Sequence, residues 1–492
     1  MEAFLIIDIG TGNARVAVAA SDGELLSIQR EDIRYEKDDR YPDAIAFDPD
    51  ALWAQVLRMA DKALQRTPGV RLKAFTATSQ REGIVLLGKN GESLIGLPNI
   101  DHRGREWENT LADKARVYQL TGRYPTSLFS AFKLLGIRHK RAELWTRLSG
   151  FLSISDWVQY KLSGIRRYEH SQASETLLYD IAAKDWSPEL CRLFDIDPAL
   201  LPPLQSSGTI LGPVLPEYAS RWPVASAAPA VAGKSAPNPA PPVVIGGADT
   251  QLAIESTVPA ADDIIIVSGT TTPVIRLMES YRIDEKQRTW TGRHSVESRF
   301  VLEANAGVTG LNYQRLKEIF YPNEGYDIIE QELDALSCPQ CVAALGSLIA
   351  DERAPLTRGG FLFDVPVSHQ LTRASFVWAT LWDIACCIRD NYCTLSEVAP
   401  HEKDYLWACG GGMQSPTLRR LIATLVGKRV LLRPDFRQSS VVGGVYACNK
   451  ATNGRRRSPL TPEIVTPGDR QPLEALYTEW KATRAAFRQF VP

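Results

Sequence analysis

The chain has 492 residues, 44% of them hydrophobic, which is enough apolar mass for two cores and so for two domains of roughly 200–250 residues each. Its 56 Lys and Arg nearly balance 57 Asp and Glu, a formal net charge of −1, so composition offers no electrostatic case for nucleic acid or a membrane surface, and no apolar stretch reaches the ~18 residues of a membrane span. The first strand begins too early to leave room for a charged leader segment, and eight cysteines stand without a regular framework; the expected setting is soluble and cytoplasmic.

Residues 4–18, FLIIDIGTGNARVAV, read as two strands joined by a glycine-rich hairpin, with Asp8 at the mouth of the first. Glycine at 10 and 12 lets backbone approach anionic oxygens, Thr11 and Asn13 add side-chain donors, and Asp8 stands where a hydrated Mg²⁺ could be held against a phosphate. An ordinary hairpin with a polar tip is the plain alternative. A Rossmann loop or a P-loop would open a helix, whereas the segment after Gly12 reads as strand.

Further along, Leu52, Val56, Leu57, Ala60 and Leu64 recur at helical spacing within Asp50–Gln65. Strands are expected at Lys73–Ser79 and Ile84–Leu87, and one continuous helix at Ser130–Ser149. The stretch Pro223–Pro242, dense in Ala, Pro and Ser, reads as a mobile loop or insertion. Val243-Val244-Ile245 then enters a strand ending at Gly246-Gly247-Ala248-Asp249. Asp249 is either the N-cap of the next helix or, with two glycines giving a ligand close access, a general base that takes a proton from a substrate hydroxyl during phosphoryl transfer. The strand Ile264–Ser268 ends in Gly269-Thr270, an echo of the first hairpin. Cys338 and Cys341 lack the second pair a zinc site needs. A helix is expected from about His369 to Glu397. Cys409-Gly410-Gly411-Gly412-Met413-Gln414-Ser415 forms a strand-to-helix turn whose backbone suits a planar base or ribose, or simply a tight connection. Arg455-Arg456-Arg457 reads as a solvated tether, and Leu473–Phe490 as an amphipathic terminal helix.

Four landmarks in this order, Asp8-x-Gly10-Thr11-Gly12, Gly246-Gly247-x-Asp249, Gly269-Thr270 and Gly411-Gly412, make the chain resemble the FGGY family of carbohydrate kinases over nearly its whole length. Lys133-Leu134, Asp156-Trp157, Asp351 to Pro355 and Arg373-Ala374 are further echoes. The resemblance implies an α/β fold of two actin-like, ribonuclease H-like domains with a cleft between them. It places an N-terminal, substrate-side domain at 1–246, a C-terminal, nucleotide-side domain at 247–455, and a tail with a helix at 456–492. It further implies ATP and Mg²⁺ as cofactors, with Asp249 as base and Asp8 and Asp249 toward the metal. Thr11, Gly12, Asn13, Gly269, Thr270, Gly411, Gly412 and Ser415 would contact ATP; Arg81, Glu82, Asp101, His102, Asp249 and Gln251 would contact the acceptor.

Gln80-Arg81-Glu82-Gly83, Ile154 to Trp157, Gly208 to Gly212 and Asp249-x-Gln251-Leu252 are similar to the autoinducer-2 kinase branch, which implies a small sugar-like acceptor. Leu128 stands where glycerol kinases carry a sugar-contacting Tyr, and Val377-Trp378 and Gln438 also depart from the family pattern. Two alternatives therefore stay open: a xylulokinase-type ketose or polyol kinase, and a catalytically weak actin-like regulator that binds nucleotide or sugar. The implied partner is a small molecule, with neither nucleic acid nor membrane, and a homodimer is left open.

Overall fold

The computed structural model describes residues 1–225, 240–336, 339–345, 347–352, 356, 358–454 and 460–489. Most of the Pro/Ala-rich stretch (226–239), Cys338, residues 353–355 and the Arg455-Arg456-Arg457 cluster lie outside them. The chain divides into two compact units: Met1–Ser256, Thr291–Phe300 and Ser439–Ser458 form the first, and Thr257–Trp290, Val301–Gln438 and Pro459–Pro492 the second.

The first unit is built on a six-stranded sheet in the order Ile210–Pro213, Pro242–Ala248, Arg71–Ser79, Glu2–Ile9, Asn13–Ala20, Leu25–Asp32. The two strands of the opening hairpin pair antiparallel, with Asp8 opposite Arg15. Arg71–Ser79 runs parallel to the first strand, with Thr78 opposite Asp8, and Pro242–Ala248 runs parallel to that, with Gly247 opposite Thr78. The first strand is buried along all but its first residue, as befits a central strand covered on both faces. Alternation puts Phe4, Ile6 and Asp8 on one face. Phe4 and Ile6 join Val441, Val445 and Cys448 of the helix Ser439–Ala451 in one apolar cluster. The helix Pro49–Gln65 starts where Asp48 caps the amides of Asp50 and Ala51, with Pro49 in the first turn, and it packs on the second and third strands.

The continuous helix expected over Ser130–Ser149 does not form. The helix ends at Lys140, a single turn comes next at Ala142–Trp145, and Leu148–Ser153 is a strand. Phe151 pairs opposite Leu86 of Ile84–Gly88, so a partner strand distant in sequence overrides local spacing there.

The second unit carries a sheet containing, in order, Phe300–Val308, Thr271–Met278, Ile264–Val267, Tyr405–Cys409, Arg429–Leu432 and Glu463–Val465. Ile264–Val267 forms an antiparallel hairpin with Thr271–Met278 and runs parallel to Tyr405–Cys409, the arrangement of the first unit's hairpin and its parallel neighbour. The helix Arg373–Val398 begins at a capping box between Thr372 and Ser375. The terminal helix Gln471–Arg488 docks on it through Trp480, whose indole N–H donates to Asp383 at 2.8 Å.

Candidate active site

Within the first unit, three parallel strands end side by side, and such carboxyl ends are where α/β sheets bind ligands. The register puts Asp8 and Gly247 two strands apart, about 10 Å between Cα atoms from ordinary strand spacing. Asp8 is fully buried. Its Oδ2 accepts from Arg15 Nη2 at 2.5 Å and from the Ser440 hydroxyl at 2.6 Å. Its Oδ1 is enclosed with no hydrogen-bond partner, an orphaned anionic oxygen of the kind a hard cation satisfies. Mg²⁺ usually keeps several waters and takes only one or two carboxylates together with substrate phosphates. The absence, among the described residues, of any cluster of three or more His, Cys, Asp or Glu able to hold a metal is therefore compatible with Mg²⁺ at Asp8.

Asp249 opens the helix Asp249–Ser256, directly after the glycine pair. Gly246 lies flat on the neighbouring strand, since a Cβ there would come within 1.8 Å of the Ala77 carbonyl oxygen; Gly247 has φ +151°. The strand end is held by the Thr78 hydroxyl, which donates to the Gly247 carbonyl at 2.9 Å, and by the Ala248 N–H, which donates to Ser171 Oγ at 3.1 Å. Asp249 Oδ1 accepts the Thr250 amide at 2.6 Å and the Thr250 hydroxyl at 3.1 Å, not the amides two or three residues on that an N-cap takes. Burial first, and then the charge of Asp8, push its carboxyl up to about 6, against the opposing pull of Arg81 and Thr250. Asp8, Asp249 and Arg81 thus share one electrostatic neighbourhood.

The acceptor residues expected from sequence extend from there. Arg81 lies 3.8 Å from both Glu82 and Glu175, and Glu175 also takes a two-pronged pair from buried Arg123 at 2.8 and 2.5 Å. Glu82 is buried with left-handed backbone, φ 60°, a strain of about 1–3 kcal/mol that clusters at functional sites. Burial raises its carboxyl well above the ordinary range and lowers the Lys133 ammonium it faces. His102, bonded to Ser127 Oγ at 3.1 Å, is held neutral by burial and by Lys133 and Arg105, with its imidazole lowered to about 4. Gln251 is buried with Oε1 unpartnered. Asp101 is occupied within the protein: it accepts the Ile45 amide at 3.0 Å and Arg103 Nε at 2.7 Å.

At the hairpin tip, Gly12 is exposed and Thr11 and Asn13 partly so. Behind them, Gln80 donates to the Gly10 carbonyl at 3.2 Å, Asn99 donates to Thr11 Oγ1 at 3.0 Å, and the Tyr35 hydroxyl donates to the Thr11 carbonyl at 2.5 Å. In the second unit, Gly269 and Thr270 are exposed at the other hairpin tip. The Gly412 amide donates to the Ser268 carbonyl at 2.9 Å, which sets the Gly410–Gly412 turn beside that tip. A Cβ on Gly411 would meet nothing within 4 Å, whereas one on Gly412 would come within 2.1 Å of Ser268 Oγ. Ser415 is buried; it caps the helix Pro416–Val426 through the Leu418 amide and donates to Glu330 at 2.5 Å. Each unit thus gathers its own set of expected residues.

Arg15, Arg123, Glu175 and Ser440 all escaped sequence reasoning. Arg15 was legible in principle, because hairpin register sets it opposite Asp8. Ser440 has no local signal, since it lies 432 residues from Asp8.

Comparison with known proteins decides the family. The N-terminal domain profile of the FGGY family of carbohydrate kinases matches residues 3–254, and the C-terminal domain profile matches residues 328–452. The chain belongs to the FGGY family of carbohydrate kinases. This FGGY kinase is 46% identical over 486 residues to "Putative sugar kinase YoaC" of Bacillus subtilis (strain 168), covering 98% of this chain and 97% of that one. It is 26% identical over 467 residues to an autoinducer-2 kinase of Salmonella paratyphi A (strain ATCC 9150 / SARB42), covering 90% and 85%. Its fold is similar to that of Plasmodium falciparum glycerol kinase with ADP, at TM-score 0.81 and 17% identity, covering 100% of this chain and 99% of that one. The protein is a sugar kinase with the two-domain, actin-like and ribonuclease H-like α/β fold of its family, and FGGY kinases use ATP. Among the described residues no helix is long and apolar enough to cross a membrane.

Proposed function

We propose that this kinase transfers the terminal phosphoryl group of ATP to a hydroxyl of a small sugar-like acceptor, with Asp249 as the general base. The observation that carries this reading is the shared neighbourhood of Asp249, Asp8 and Arg81 at the ends of parallel strands. Phosphoryl transfer asks a protein mainly for positioning and charge neutralisation, with one group to take the hydroxyl proton. Asp249 takes that proton as the acceptor oxygen bonds to the terminal phosphorus and the bond to the departing nucleotide breaks. Asp8, with Asp249 nearby, would hold Mg²⁺; the cation, when bound, neutralises charge on the phosphate oxygens. Arg81, Glu82, His102 and Gln251 would orient the acceptor hydroxyls as a mixed set of donors and acceptors. Thr11, Gly12 and Asn13 in the first unit, and Gly269, Thr270, Gly411 and Gly412 in the second, would offer backbone and hydroxyl contacts to the nucleotide. Ser415 enters the same set through its turn.

Similarity to autoinducer-2 kinases makes an autoinducer-2-like carbohydrate the first acceptor to test, and a ketose or polyol the second. A coupled ADP-release assay across ketoses, polyols and the autoinducer-2 precursor checks the reading. Asp249→Asn is expected to lower kcat at least ~100-fold with little change in KM for ATP. Near-wild-type turnover in that variant would remove Asp249 from the chemistry.

A further inference from the structure

The first unit contains a cavity of about 250 Å³ whose lining residues include none of the acceptor or nucleotide sets above. At about 30 Å³ per water, it has room for about eight waters or one small organic molecule. Its polar wall is Glu255, Ser295, Asn449 and Lys450; Leu252, Val296 and Ala447 supply an apolar side. Two polar atoms of this wall are orphaned. Asn449 is 3% exposed, and its Nδ2 donates to the Ser21 carbonyl at 2.6 Å, which fixes the amide and leaves Oδ1 without a partner. Ser295 is 6% exposed and its Oγ has none either. Unpaired buried polar atoms are uncommon in folded chains and point to a missing partner. Glu255 and Lys450 add opposite charges. His294 Nδ1 accepts the Val296 amide at 3.0 Å, so the ring proton sits on Nε2, 3.5 Å from Glu255 Oε1. Burial, then Arg299 and Arg293, lower that imidazole to about 3, so Glu255 faces a neutral ring there. Lys450 is exposed, and its Nζ donates to the Ser207 carbonyl at 3.0 Å, a bond that holds the ammonium in place without neutralising it.

We infer that this cavity is a second ligand site, for a free α-amino acid with an apolar side chain. The ammonium of such a zwitterion donates to Glu255 and to Asn449 Oδ1. Its carboxylate accepts from Lys450 and from the Ser295 hydroxyl, and its side chain lies along Leu252, Val296 and Ala447. Other guests use the wall less fully. A phosphorylated sugar brings two negative charges to one ammonium and a carboxylate. An uncharged sugar leaves Glu255 and Lys450 without an opposite charge and sets hydroxyls against the apolar side, while a hydrocarbon leaves both orphaned atoms as they are. The inference goes beyond the kinase reading and does not depend on it.

The test is calorimetric titration of the full chain with leucine, valine and methionine. At least one is expected to bind with Kd of about 1 mM or tighter. The acid and the amine that each keep its side chain and one charged end (4-methylpentanoate and 3-methylbutylamine for leucine) are expected to bind at least ~10-fold more weakly. Glu255→Gln and Lys450→Met should each weaken binding at least ~10-fold; Lys450 is exposed, so its variant keeps the test open should Glu255→Gln fail to fold. Asp249→Asn is expected to bind like the parent, which separates this cavity from the acceptor site. Absence of binding by all three amino acids overturns the inference. So does an acid or amine that binds as well as its amino acid, a Lys450→Met variant that binds like the parent, or loss of binding in Asp249→Asn. ADP release remains the measure of the kinase reading, so either reading can fail while the other stands.

Discussion

Asp249 concentrates the residue-scale physics of this site. Its carboxyl ionises near 3.8 when unfolded and near 6 in the folded protein, because burial and Asp8 disfavour the charge. Between those values the native state binds more protons, so this group removes stability as pH rises through the window, up to roughly 3 kcal/mol above pH 6. Asp249→Asn is therefore expected to melt higher than the parent at pH 7–8 and alike near pH 4, which differential scanning calorimetry checks. The same shift sets catalysis: kcat/KM is expected to fall below about pH 6 as the base protonates, and an acid limb at pH 4 would contradict the stated neighbourhood. Sequence pattern alone singled out Asp249, because a lone acid after a glycine pair is conspicuous. Its raised ionisation was not legible, since it comes first from burial in the folded protein and then from the charge of Asp8, 241 residues away in the chain.

Elements place these residues by close approach. The helix Ser439–Ala451 lies against Asp249–Ser256 so tightly that a Cβ on Gly443 would come within 2.0 Å of the Leu252 carbonyl oxygen, and one on Gly444 within 2.8 Å of Ile6 Cγ2. Backbone cannot give way as a side-chain tip does. Gly443→Ala is thus expected to cost about 1–3 kcal/mol, seen as a lower denaturation midpoint. Gly411→Ala, which meets open space, should leave stability unchanged and raise KM for ATP several-fold if the turn lies against nucleotide; unchanged ATP kinetics would separate Gly411 from that site. The strand-helix junction at Asp249 also depends on Ser171, whose Oγ takes the Ala248 amide and which is held in turn by Glu169. The hairpins and glycine turns were readable because glycine spacing is local. Failure at Ser130–Ser149 has the opposite cause: Leu148–Ser153 becomes a strand only because Ile84–Gly88 offers an edge.

Across the whole molecule, each unit repeats one plan, a hairpin flanked by a parallel strand, and each closes its own core with a segment from late in the chain. In the second unit that segment is the terminal helix. Trp480 is fully buried with its N–H on Asp383, and Arg484 pairs with Glu352. Trp480→Ala should cost about 3–5 kcal/mol, because it opens a cavity and leaves the Asp383 carboxyl, already raised by burial, without that donor. Thermal unfolding is expected to start at a markedly lower temperature in this variant, whereas a shift of a degree or less would mean the helix is only loosely docked. In the first unit the late segment is Ser439–Ala451, which supplies Ser440 to Asp8.

What the amino-acid sequence determined unaided was everything carried by short-range pattern: alternating α and β segments, two Gly-Thr hairpins, the glycine pair before Asp249, and the order of motifs that marks the family. These arise from backbone freedom and periodicity, which act over a few residues. Tertiary structure alone decided which charges meet. Ser440 on Asp8, Glu175 between Arg81 and Arg123, and the terminal helix on Asp383 are pairings across the fold, tens to hundreds of residues apart in the chain. Electrostatic energy depends on distance in space, which chain separation does not encode.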